Sequence, residues 1–587
     1  MEVTYIVGGP ERQRYTYMVG AELAPDADVY SFNSTIVNLR KGVTERVFYV
    51  KNDQGEFVSP PRPGSNPCFP VTRKIARDNR GEGCPICYED YKFAEMAAKL
   101  PCGHMFHERC IGTWVASLQD QHLPGTCPCC RDAVGRHFLT DVDETVDVYT
   151  QKLDHLQKRI LELSIGFCPL ERDLFHEEYT GKKRETYRRA EESLRTKEIS
   201  RKDGYTSNFT KTERTVKLGA VPRNISPRDP RYNVEVGVYI KPAEGILLDA
   251  VTKMLGSKTV MKGMNASQVG AHFSRKWERF GGDGHTVAVG LDASRFDQHV
   301  SAMALRWEHK FYLGLCKGAS ERKRLARLLE WQIFNKGFGR CNDGTLSYEI
   351  EGTRCSGDMN TGLGNCLIAT CLLVAYCEER EIPFELANNG DDCVIFTHKK
   401  YLADFSLGLD KWFRQMGFNM VVEEPVYELE KVVFCQSQPV FDGHSWTMVR
   451  DPRSCIKKDC VSLKPWRNEK EYNAWLASVG MSGTSLAGGM PVLDAFYRSF
   501  LRASRNAKPL NQADPSLQGG LYWQSKGMHR RGLPVSDAAR YSFWRAFDIM
   551  PAEQEAIEYE YSINTPYYSP VDYSPESLPV HRHNLLL

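Results

Sequence analysis

The sequence predicts a multidomain α+β protein, and three observations carry that expectation. At 587 residues the chain is too long for one hydrophobic core and calls for several domains. Seven of its 19 cysteines crowd between Cys84 and Cys130, which sets that stretch apart as a module of its own. Beyond residue 166, β-prone runs alternate with helical periodicities, as in a large mixed domain.

Residues 1–66 alternate in a strand-like way in "TYIV", "RYTYMV" and "TERVFYV", with "NDQG" as a hairpin turn, and run into the linker-like "SPPRPGSNP". They predict a small β-rich segment to which no function can be attached. Residues 67–140 hold the cysteine module. Within residues 141–165, "DETVDVYTQKLDHLQKRILEL" spaces its apolar residues as a helix and predicts a connecting element. Residues 166–545 form the large mixed region. The remaining 546–587, ending "YEYSINTPYYSPVDYSPESLPVHRHNLLL", are rich in Pro, Ser and Tyr and predict a disordered tail. The chain opens on no secretory signal, and no window reaches the roughly 18–20 uninterrupted apolar residues of a bilayer span. An intracellular, reduced protein without a transmembrane segment is expected, one that reaches membranes only through a partner.

Charge is nearly balanced overall, with a formal net of +2, but not locally. Between Gly181 and Lys241 stand 16 Lys/Arg against 8 Asp/Glu. A solvated helix face explains part of such an excess, and a phosphate-binding surface is the competing explanation.

In the cysteine module, two C-x-x-C pairs flank a C-x-H-x-x-H-x-x-C core. The donors are Cys84, Cys87, Cys102, His104, His107, Cys110, Cys127 and Cys130. Thiolates two residues apart can turn onto one ion, and tetrahedral zinc takes four such ligands, so eight donors make two sites. The pattern resembles the RING-H2 zinc finger, whose ligand pairs interleave in a cross-brace. The resemblance implies that Cys84, Cys87, His107 and Cys110 hold one zinc ion, and Cys102, His104, Cys127 and Cys130 the other. RING domains that act as ubiquitin ligases dock a ubiquitin-conjugating enzyme, here implied at Ile86, Trp114 and Pro128, with Arg131 bridging to ubiquitin. The competing reading of Ile86 and Trp114 is packing in a small domain with little other core.

Downstream, "LANNGDDCVIF" places Asp391 and Asp392 before an apolar run. A surface Asn-Gly hairpin turn would explain it. So would carboxylates whose charge a metal ion offsets, because buried carboxylates are costly without compensation. About a hundred residues earlier, "HTVAVGLDASRFDQHV" leads a β-prone run to Asp292, with Asp297 following. Asp292 and Asp391 brought together could share two divalent ions and serve in-line phosphoryl transfer. Between the motifs, "GTRCSGDMNTGLGNCLIATCLLVAY" begins a small-residue loop at Ser356 and Gly357, with Thr361 and Asn365 near the start of an apolar helix.

The ordered pattern D-x4-D, S-G-x3-T-x3-N and G-D-D resembles palm motifs A, B and C of viral RNA-dependent RNA polymerases. "YTGKKRETYRRA", "FTKTE", "VPRNISPRDPRYNVEVGVYIKPAE", "YELEKVVFCQSQPVFDG" and "WLASVGMSGTSLAGGMPVLDAFY" look like the tombusvirus group, over roughly residues 166–510. The resemblance implies a right hand of fingers, palm and thumb with an antiparallel palm sheet. Asp292 and Asp391 would be ligands of two Mg2+ (or Mn2+) ions, supported by Asp392. Asp297 and Asn365 would sense the ribose 2′-OH, with Thr361 nearby, and Ser356 and Gly357 would follow the template. Lys211 and Arg223 match the residues that hold the incoming triphosphate, and for Arg228 and Arg231 assistance to them and a surface salt bridge are competing readings. Motif D lacks the lysine expected as a general acid, and neither Arg414 nor Lys431 is assigned to that role.

The implied partners are an RNA template and nascent strand, ribonucleoside triphosphates, a host ubiquitin-conjugating enzyme and a membrane-anchored replication partner. The implied location is host cytoplasm at replication membranes. The alternative is a RING ubiquitin ligase fused to an inactive polymerase-like RNA-binding domain. Primer-extension with Asp391→Asn as control separates the two.

Overall fold

The computed structural model describes residues 148–566 apart from 212–222, 342–343, 463–465 and 512–519. Of the first 147 residues it describes 2–7, 13–18, 50–51, 57–58, 68–70, 83–87, 90–92, 96–100, 104–107, 110–111, 114 and 128–129. The chain divides into two compact units, residues 1–148 with 336–350, and residues 149–335 with 351–587.

In the first unit, the strand Glu2–Val7 pairs antiparallel with Gln13–Met18 and with Gly344–Glu351. The cysteine module is built on a three-stranded sheet of Cys68–Pro70, Met96–Lys99 and Met105–His107. Its small core gathers Cys84, Tyr91, Ala97, Ala98, Leu100, Phe106 and Ile111, with Ile86 packed at its edge.

The second unit opens with α1 (Val148–Leu163). Expected as a connector, this helix is instead part of the unit. It buries Tyr149, Leu153, Leu156 and Ile160, and Gln157 donates to the carbonyl of Trp307 at 2.7 Å. Its apolar stripe needs a partner surface, and the second unit supplies one. Further on come α2 (Gly181–Thr196), the short hairpin of β1 (Thr206–Thr210) and β2 (Asn224–Ile225), and α3 (Pro230–Leu255). Helix α3 starts where the local chemistry dictates, with Asp229 accepting from the Arg231 N–H, Pro230 in the first turn and Gly256 left-handed after the last.

The centre of the unit is a four-stranded antiparallel sheet. It consists of β3 (Thr286–Ala293), β4 (Glu385–Asn388), β5 (Asp392–His398) and β6 (Met420–Val422), ordered β4-β5-β3-β6. Helix α4 (Ala266–Glu278) lays Val269, Phe273 and Trp277 on one face of this sheet, against Ala288, Ala387, Val394 and Phe396. Helix α5 (Ala302–Leu315) and helix α6 (Thr361–Glu378) follow the two aspartate-bearing and small-residue segments. Positions 363–377 of α6 are all buried. A helix apolar all round is a core helix, and its burial accounts for a composition that would also suit a membrane span.

Beyond the sheet, the hairpin of β7 (Ser437–Phe441) and β8 (Trp446–Arg450) leads to α7 (Glu469–Ala487) and α8 (Leu493–Ala503). These share a core with α9 (Asp537–Phe547) and α10 (Pro551–Ile563). Helix α10 corrects the expectation of a disordered tail from residue 546. Proline in its first turn and buried Ile557 and Tyr561, the latter against Phe496, order the chain through Ile563. Residues 567–587 lie outside the described residues.

Candidate active site and metal cluster

Strands β3 and β5 run antiparallel in a register that places Asp292 opposite Asp392. The β4–β5 hairpin carries Asp391 at its tip. Gly390 there has φ +95°, its N–H donates to the Asn388 side chain at 2.8 Å, and Asn389 closes the turn on the Asp392 carbonyl at 2.9 Å. That positive φ is why glycine precedes the aspartates. Asp292 and Asp391 are exposed while the strands that carry them are buried, so the carboxylates stand at the end of a rigid sheet.

Sequence reasoning missed two participants. Glu423 follows β6, hydrogen bonded through its N–H to Gly290, with its carboxylate lying where a Cβ on Gly290 would be. Burial, and then the charge of Asp292, push the Glu423 carboxyl up. Cys435 donates its backbone N–H to Asp392 at 2.7 Å. Even so, burial, followed by the charges of Asp391 and Glu423, pushes Asp392 up to about 6. Neighbouring carboxylates thus add to the effect of burial in raising Asp392 and Glu423 within the cluster. Its hard oxygen donors fit Mg2+ or Mn2+.

Asp297 and Asn365, 68 residues apart, are joined directly, the Asn365 Nδ2 donating to Asp297 Oδ1 at 2.8 Å. Burial raises the Asp297 carboxyl, aided by Asp391 and Asp358 and opposed by Asn365 and Arg354. Thr361 donates to the Cys355 carbonyl at 2.7 Å, which fastens the loop to the start of α6. Ser356 Oγ accepts from the Ser226 N–H at 3.0 Å, and Gly357 bridges to Pro227. Lys211 and Arg223 face each other across the β1–β2 base, Lys211 N–H donating to the Arg223 carbonyl at 2.9 Å.

Arg228 and Arg231 follow the salt-bridge reading, with pairs that lie inside the unit and not on its surface. Arg228 is fully buried, forks onto Asp358 and donates to Asn335 at 2.6 Å. Arg231 pairs with Asp203 at 3.1 Å and reaches the Lys197 and Glu198 carbonyls. Both guanidiniums are spent inside the unit, where charge pairing offsets their desolvation. In the motif D region, Lys431 donates to Asp548 at 2.7 Å and Arg414 lies 3.8 Å from Asp410. A cavity of about 710 Å³ adjoins the aspartate turn, lined in part by Asn389, Cys435, Arg450, Trp523 and Lys526.

In the first unit, one donor atom each from Cys84, Cys87, His107 and Cys110 lies within 4.8 Å of the others. Burial, then Cys87 and Cys84, pushes the Cys110 thiol up to about 12. Three thiols and an imidazole so crowded suit a soft divalent cation, and zinc ionises its own thiol ligands. Of the other four expected donors, His104 is described, while Cys102, Cys127 and Cys130 lie outside the described residues. Ile86 is partly buried, Pro128 half-buried and Trp114 36% exposed, and Arg131 lies outside the described residues.

Comparison with known proteins adds the following. A family profile described as viral RNA dependent RNA polymerase matches residues 130–566, and one described as Ring finger domain matches residues 82–131. The chain is 42% identical over 419 residues to the RNA-directed RNA polymerase of Turnip crinkle virus, covering 70% of this chain and 52% of that one. It is 35% identical over 567 residues to the same-named protein of Oat chlorotic stunt virus (isolate United Kingdom), covering 93% and 64%. With that of Carnation mottle virus it shares 35% over 554 residues, covering 94% and 60%. The chain therefore spans between half and two thirds of these relatives' length.

Proposed function

We propose, from the premise that this chain belongs to the viral RNA-dependent RNA polymerase family, that it copies RNA templates by nucleotidyl transfer. The observation that carries the reading is the register that sets Asp292 opposite Asp392, with Asp391 on the adjoining turn. Asp292 and Asp391 would hold two Mg2+ or Mn2+ ions, with Asp392 and Glu423 behind them. Such ions, when bound, stabilise the attacking and leaving oxygens of an in-line displacement. The 3′-hydroxyl of the nascent strand gives up its proton to water, its oxygen bonds to the α-phosphorus of the incoming triphosphate as the α–β bridging bond breaks, and pyrophosphate departs.

The chain's own groups orient that reaction. Asp297 and Asn365 meet the ribose, Lys211 and Arg223 the triphosphate, and the Ser356–Gly357 loop the template. An arginine fork can contact two phosphate oxygens at once. The cavity beside the aspartate turn takes the end of the nascent strand. RNA-templated incorporation of labelled ribonucleotides tests the reading, with Asp391→Asn as control. Wild-type incorporation no greater than the control's would leave only an RNA-binding scaffold.

The RING match supports a second activity, in which Ile86, Trp114, Pro128 and Arg131 dock a ubiquitin-conjugating enzyme. The exposure of Trp114 favours docking over core packing. In an autoubiquitination assay, wild type should be active, and Ile86→Ala and Trp114→Ala weaker. Equal activity in all three would remove the ligase reading. Work at cytoplasmic replication membranes, through a membrane-anchored partner, completes the proposal.

A further inference from the structure

We propose that the buried Glu308–Arg354 ion pair sets ribose specificity by fixing the orientation of Asn365 against Asp297. The inference deepens the polymerase reading and rests on it.

The geometry is a relay. Both side chains of the pair are fully buried. Arg354 Nε donates to Asn365 Oδ1 at 3.1 Å, and Asn365 Nδ2 donates to Asp297 Oδ1 at 2.8 Å. A guanidinium has only donors and a carboxylate only acceptors, so the amide between them has one permitted orientation. Without Arg354 the amide keeps only the Asp297 carboxylate to oppose its flip or rotation, and its oxygen loses the donor that holds it in place.

Glu308 in turn holds Arg354. One of its oxygens accepts from Tyr312 at 2.6 Å and from Asn360 at 2.7 Å, and the other takes the Arg354 guanidinium. Asn360 is fixed by Gln332 at 2.9 Å, and the Arg354 N–H donates to the Asp297 carbonyl at 2.8 Å. Gly364 leaves the room, since a Cβ there would collide with the Glu308 carboxylate and come within 2.6 Å of Arg354. A buried ion pair seldom stabilises a fold more than apolar residues of equal size would, so its worth here lies in the orientation it imposes. The 2′-OH is both donor and acceptor. Asp297's second oxygen and Asn365's second amide proton match it, and a deoxynucleotide leaves them unpaired.

The test is single-nucleotide incorporation on a primed RNA template by the full chain, with kcat and KM measured for UTP and dUTP. Arg354→Lys keeps the charge beside Glu308 but has one nitrogen where two are needed. The ratio of kcat/KM for UTP over dUTP should fall at least about tenfold, chiefly through a higher KM for UTP. Asn365→Ala should lower the ratio too, and Arg354→Lys should lower it no further in that background. A wild-type ratio in Arg354→Lys would overturn the proposal, as would losses that multiply in the double variant. If Arg354→Lys does not fold, Glu308→Gln keeps the shape and removes the charge. A lower ratio in folded Glu308→Gln supports the relay, and an unchanged one refutes it. A wild-type chain that incorporates no ribonucleotide removes both readings, whereas unaltered discrimination in active variants removes only this one.

Discussion

Asp391 and Asp392 are neighbours in the chain with different surroundings. Asp391 stands exposed at the hairpin tip, while Asp392 is half-buried and accepts the Cys435 N–H. The metal ions proposed for this site would therefore rest more on Asp391. Asp391→Asn should reduce RNA-templated incorporation to background, and Asp392→Asn should leave it measurable above that level in the same assay. Gly357 gives a prediction of another kind. A Cβ there would collide with Pro227 and lie 2.7 Å from the Ser226 carbonyl, both backbone atoms that cannot swing aside. Gly357→Ala should cost about 1–3 kcal/mol of stability, as overpacking does, read as a lower melting temperature. The motif itself was legible as "SGDMNTGLGN". Its contact with residues 226–227, more than a hundred positions away, was not, because nothing local encodes a long-range backbone approach.

At the scale of elements, α4 and the four-stranded sheet are joined by charge as well as by apolar packing. Lys276 and Glu385, each under 5% exposed, pair at 2.8 Å, and Ser257 and Arg279 complete the carboxylate's contacts. Burial alone would raise Glu385, but Lys276, Ser257 and Arg279 outweigh it and hold the carboxyl below its ordinary 4.5. A group depressed on folding stabilises above its unfolded value and loses that contribution as pH falls through the folded one. Glu385→Gln leaves Lys276 buried without its partner and should cost about 3–5 kcal/mol at pH 7. The gap in melting temperature to wild type should narrow as pH is lowered below about 4.5. A gap constant from pH 7 down to pH 3 would refute this. Along the same helix, a Cβ on Gly270 would lie 2.5 Å from the Trp446 carbonyl, so α4 and the β7–β8 hairpin meet at backbone distance.

For the whole molecule, the two units rest on different physics. Among the described residues, the first gathers a small apolar core around thiols, and a small core calls for a staple. Zinc analysis of the purified chain should give two ions, since eight donors at four each fill two sites. Chelation should expose the module to protease, and persistence of a protease-resistant module after complete zinc removal would overturn the assignment. The second unit has extensive cores of its own. By itself the sequence determined the fold class, the zinc-donor spacing, the aspartate motifs and the family they resemble, because short-range spacing and periodicity record them. Only the tertiary structure decided that Glu423 joins Asp292, that Arg228 and Arg231 are internal, that the chain stays ordered to Ile563, and that Glu308 and Arg354 stand behind Asn365. Those facts depend on which distant charges share one low-dielectric space, and that is settled only when the strands and helices close together.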